Sequence, residues 1–70
     1  MTLSNSEKTS LIAQHQRNNE LNKYNLQLAL IEENSVDAPN AETISSLNAQ
    51  IADCDRKLAA LAVELAEIEE

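Results

Sequence analysis

ISSLNAQIADCDRKLAALAVELAEI, residues 44–68, decides how this chain folds. Its large aliphatic residues and one cysteine, Ile44, Leu47, Ile51, Cys54, Leu58, Leu61, Leu65 and Ile68, follow at intervals of 3, 4, 3, 4, 3, 4 and 3. An α-helix turns once in about 3.6 residues, so this spacing lays all eight along one face. The repeat runs unbroken for more than three heptads, the length at which it reads as a coiled-coil seam. Ile44, Ile51, Leu58 and Leu65 take the a positions; Leu47, Cys54, Leu61 and Ile68 take the d positions. Isoleucine and leucine are mixed at both, which selects no particular strand number.

The flanks of this seam are also apolar. Ala52, Ala59 and Ala66 recur every seven residues, and between Leu58 and Ala66 only Glu64 carries a charge. Alanine's helix propensity accounts for part of this. A helix apolar on most sides is also usually covered on most sides, so a second packing face of small residues is expected at the C-terminal end.

Upstream lies Asn34-Ser35-Val36-Asp37-Ala38-Pro39-Asn40. Pro39 lacks an amide hydrogen and restricts Ala38, which breaks any continuous helix. Asp37 or Asn40 is expected to cap the second helix. In the first half, Ser4 and Glu7 have the Ser-x-x-Glu spacing of a capping box, which starts a helix there. Leu21, Tyr24, Leu28 and Ile31 repeat at 3, 4 and 3, with Leu26 and Leu30 widening the face. Upstream the same stripe passes through Arg17, Gln14 and Ser10; a shifted one, Leu11, Gln14, Asn18, Leu21, Asn25, Leu28, includes two asparagines.

The chain therefore reads as one unit over residues 1–70, all-α: helix over about 5–34, turn over about 35–39, helix over about 40–69. Similar lengths and a short turn predict an antiparallel, coiled-coil-type hairpin. Leu28 and Ile31 are then expected beside Ile44 and Leu47, and Leu21 and Tyr24 beside Ile51 and Cys54. Farther from the turn, polar Gln14, Arg17 and Asn18 are expected opposite Leu58 and Leu61. That mismatch predicts that residues 58–68 seek a second copy or another protein, so that the hairpin assembles into a larger helical bundle. Size points the same way. Seventy residues bury a small share of their surface and ordinarily need a disulfide, a metal or a partner.

Composition narrows the chemistry. There is no glycine and one proline, which argues against tight hairpin turns, phosphate-cradling loops and dinucleotide fingerprints. Cys54 is the sole cysteine and His15 the sole histidine, too few for an intrachain disulfide or a structural zinc site. No nucleophile–base pair is in evidence, and neither an enzyme, a metal site nor a cofactor is expected. Asp53 has a plain role three and four residues before Arg56 and Lys57, where exposed ion pairs form.

The net charge of −7 is uneven: residues 36–70 carry −6 and residues 1–35 carry −1. Direct nucleic-acid binding needs the opposite sign, and so does an anionic membrane surface. Residues 1–10 lack an apolar core for a signal peptide, and no run approaches the ~20 residues of a membrane span. A soluble, cytoplasmic protein is expected.

The function expected is non-enzymatic: protein–protein assembly through the coiled-coil seam, as a homo-oligomer or as a small subunit of a larger complex. Its candidate contact residues are the eight seam residues of the second helix together with Leu21, Tyr24, Leu28 and Ile31. The alternative is a small acidic inhibitor, of the kind a phage or mobile element encodes, that binds a basic surface of a larger, nucleic-acid-handling protein. Its candidate contacts are Glu64, Glu67, Glu69 and Glu70, which oppose the helix dipole and do not stabilise the helix that carries them.

Overall fold

A computed structural model describes residues 2–69. It holds two α-helices, α1 (Asn5–Asn34) and α2 (Ala41–Glu69), and no strand among the described residues. They form an antiparallel hairpin measuring 55 × 18 × 14 Å. No described helix is long and apolar enough to cross a membrane.

Local chemistry fixes both ends of α1 and the start of α2. Ser4 is the N-cap of α1. Its hydroxyl oxygen accepts from the Glu7 amide at 3.1 Å, and the Glu7 carboxylate accepts from the Ser4 amide at 3.1 Å. This reciprocal box satisfies amides that the first turn leaves without helical partners. At the other end Ser35 closes the helix without glycine: its amide and hydroxyl both donate to the Glu32 carbonyl, at 3.2 and 2.7 Å. No described residue has a positive φ, so the turn is built without any left-handed position.

Asn40 caps α2, its side-chain oxygen accepting from the Thr43 amide at 3.0 Å. The helix therefore begins at Ala41, one residue later than expected, and Pro39 directly precedes the cap. The amide of Asn40 donates to the Glu33 carboxylate at 3.0 Å, which ties the end of α1 to the start of α2.

All eight seam residues of α2 turn toward α1. Cys54 is buried, and Ile44, Leu47, Ile51, Leu58, Leu61, Leu65 and Ile68 are half-buried, while the remaining described side chains of α2 are exposed. The inward stripe of α1 is Thr9, Ile12, Gln16, Asn19, Lys23, Leu26, Leu30 and Glu33, again spaced 3, 4, 3, 4, 3, 4 and 3. Two contacts set the register. The Lys23 ammonium meets the Asp55 carboxylate at 2.6 Å, and the Asn22 amide group donates to the Cys54 sulfur at 3.7 Å. At that register Leu30 lies level with Leu47, Leu26 with Ile51, Lys23 with Cys54, Asn19 with Leu58, Gln16 with Leu61 and Ile12 with Leu65.

The expected pairing of Leu21, Tyr24, Leu28 and Ile31 with the α2 seam is therefore corrected. These four lie on the far side of α1. A charge explains the choice. Had that stripe faced inward, its continuation would set Arg17 opposite Leu58 and turn Ile12 outward, and a cation is costly away from water. The stripe that does face inward places only Lys23 in the middle of the seam. Its long stem lies along α2 while its ammonium reaches out to Asp55.

Candidate interaction surface

The residues singled out from the sequence divide into two groups. The eight of α2 are brought together along the inner seam, where α1 covers them. The four of α1 are brought together on the outside: Leu21 is 48% exposed, Tyr24 60%, Leu28 39% and Ile31 64%. Spaced three and four residues apart, they touch one another along the helix and make one apolar stripe. Asn18, Asn25 and Glu32 border it on one flank, and Glu20, Gln27 and Asn34 on the other.

Inside, the packing is thin. Among the described residues only Ile12 and Cys54 are buried. The radius of gyration is 16.2 Å, against about 11 Å for a compact domain of this length. The chain exposes 5258 Å², more than the roughly 4,300 Å² of a compact monomer of its mass. Two helices side by side, with polar Gln16, Asn19 and Lys23 in one of the two stripes, cannot enclose more.

At the open end an uncovered cleft of about 290 Å³ lies between Lys8, Leu11 and His15 of α1 and Leu61, Glu64 and Ile68 of α2. Here the expectation of a distal mismatch holds in substance though with other residues: Gln16 and Asn19, rather than Gln14, Arg17 and Asn18, are level with Leu61 and Leu58. Ile12 partly fills the gap opposite Leu65. Residues 58–68 thus have an inner partner after all, while the small residues Ala59, Ala60, Ala62, Val63 and Ala66 are exposed around them.

Glu64 and Glu67 are exposed. The side chain of Glu69, and Glu70 as a whole, fall outside the described residues. Asp53 pairs with Arg56 one turn on, as the spacing predicts. The Lys23–Asp55 pair between the helices was not anticipated. The signal for it was present: Lys23 interrupts the spacing that links Ile12, Leu26 and Leu30.

Chemically active side chains are dispersed. Cys54 is a free thiol, 2% exposed. His15 is exposed and lies about eight residues along the paired axis from the level of Cys54, roughly 12 Å at the helical rise. No three described His, Cys, Asp or Glu residues converge in a way that could hold a metal ion. The acidity of Glu7 is clearly altered: the Ser4 amide, then the Ser4 hydroxyl, hold its carboxyl below the ordinary value of 4.5. Compared with protein families, with curated proteins and with solved structures, the chain matches none.

Proposed function

We propose that this chain is a non-enzymatic assembly protein, a helical hairpin that packs against further helices as a homo-oligomer or as a small subunit of a larger complex. One observation carries the reading: Leu21, Tyr24, Leu28 and Ile31 form a contiguous apolar stripe on the outside of a hairpin whose own core is thin. Surface hydrophobics scattered singly need no explanation, but a contiguous, helically spaced stripe is what a helix presents to another helix.

A second reading, a small acidic inhibitor of a protein with a basic surface, draws on exposed Glu64 and Glu67 and on the charge of −6 over residues 36–70. Salt separates the two, because apolar packing persists where charge steering is screened. The test is the size of the species that contains this chain in extracts of the cells that make it, at low and high salt. Assembly by packing predicts a species well above 7.7 kDa at both. A species lost in high salt favours the inhibitor, and a free monomer at both overturns the assembly reading.

A further inference from the structure

We infer that the partner of the outer stripe of α1 is a second copy of this chain, joined antiparallel about a two-fold axis near residue 26. The inference rests on the assembly reading and specifies its face, partner and geometry.

Spacing comes first. Intervals of 3, 4 and 3 from Leu21 through Tyr24 and Leu28 to Ile31 read the same in both directions. An antiparallel copy therefore sets Leu21 level with Ile31 and Tyr24 level with Leu28, each large side chain meeting a large side chain. Such self-complementarity is what an isologous two-fold interface requires.

Charge comes second. The stripe is bordered by Asn25 and Gln27 at its middle, and its nearest acids, Glu20 and Glu32, lie on opposite flanks. In antiparallel helices like flanks face like flanks, so Glu20, level with Glu32 of the other copy, lies on the opposite side of the interface from it; a parallel pair would set Arg17, in line with the stripe, against its own copy. Antiparallel pairing also sets Arg17 of one copy within a turn of the level of Glu32 of the other. Using α1 keeps the two α2 helices on the outside, apart from one another, and residues 36–70 carry −6 of the −7 charge.

Area comes third. At about 200 Å² for a fully exposed side chain of this size, the exposures of the four residues amount to roughly 400 Å² per copy. Two copies supply about 800 Å², and the stem of exposed Asn25 extends this toward the roughly 1,000 Å² of a specific but modest interface.

The test uses the purified full chain. At about 100 µM, in the range where a modest interface is occupied, sedimentation should give twice 7.7 kDa. Acrylamide quenching of Tyr24, the sole aromatic, should fall as concentration rises. Tyr24→Glu and Leu28→Glu change exposed positions, so each should leave helical circular dichroism intact while weakening the dimer at least about 100-fold. In a Cys54→Ala background, a short bis-maleimide should join Asn25→Cys to its copy. It should not join Ser10→Cys, which in the antiparallel dimer lies about 48 Å along the axis from its copy. A monomer at that concentration, a dimer indifferent to both glutamates, or cross-linking at Ser10→Cys but not at Asn25→Cys would each overturn the inference. A purified monomer beside a large, salt-resistant species in extracts would overturn self-pairing alone and leave the assembly reading standing.

Discussion

Lys23 is the one charged side chain in the middle of the inner seam. It lies level with buried Cys54, and its side chain is 32% exposed while that of Asp55 is 54% exposed. An ion pair this wet contributes roughly 0.2–1 kcal/mol. A methionine of similar length would bury its thioether against Cys54 and Ile51, worth about 1–2 kcal/mol when largely covered. Asp55 would remain hydrated and cost little. Lys23→Met is therefore expected to stabilise the hairpin by about 1 kcal/mol, seen by circular dichroism as a rise of about 4–8 °C in the thermal midpoint. A lower midpoint would mean that the ion pair outweighs the apolar contact.

At the scale of the element, the two helices are held in different ways. α2 is fixed by its continuous aliphatic seam; α1, with a weaker stripe, depends more on its ends. Ser4→Ala should cost about 1 kcal/mol through loss of the cap, and the loss should be confined to the first turns of α1. Acid should do the same. Because the Glu7 carboxyl titrates below 4.5 in the folded chain, its contribution is complete above the unfolded value and is lost as pH falls through the folded one. Carbon chemical shifts of residues 5–8 should then move toward coil values in acid. Glu7→Gln keeps the acceptor without the charge and should abolish this dependence; the same acid response in that variant would assign it to other groups.

These differences also explain what could be read in advance. The hairpin, its capping box and every inward residue of α2 were legible, because large aliphatics there coincide with an unbroken heptad and the rest of the helix is small or polar. The rotation of α1 was not. Its most regular apolar spacing, Leu21, Tyr24, Leu28 and Ile31, faces out, and its inward stripe contains Thr9, Gln16, Asn19, Lys23 and Glu33. Reading hydrophobic as inward fails here because the cost of placing Arg17 against Leu58 depends on the partner helix, which no window along α1 contains.

For the molecule as a whole, the decisive property is a gradient along 55 Å of length. Near the turn, leucines of α1 are level with Leu47 and Ile51; toward the open end, Gln16 and Thr9 are level with Leu61 and Ile68. Closing contacts near a short turn also costs the least chain entropy. Within the helices, amide hydrogen exchange should therefore be slower around residues 24–30 and 47–54 than around the polar layers at 14–19 and 58–63. Uniform protection along both helices would contradict the gradient. The antiparallel arrangement has a mechanical corollary. Asn5 and Glu69 stand at the same end, about 45 Å from the turn. A load hung between them pulls across the helices and peels one layer at a time, beginning with the weakest. The same load between turn and open end runs along the helix axes and is carried by their own hydrogen bonds rather than by the contacts between them. Such a rod yields easily as a tether and resists as a strut.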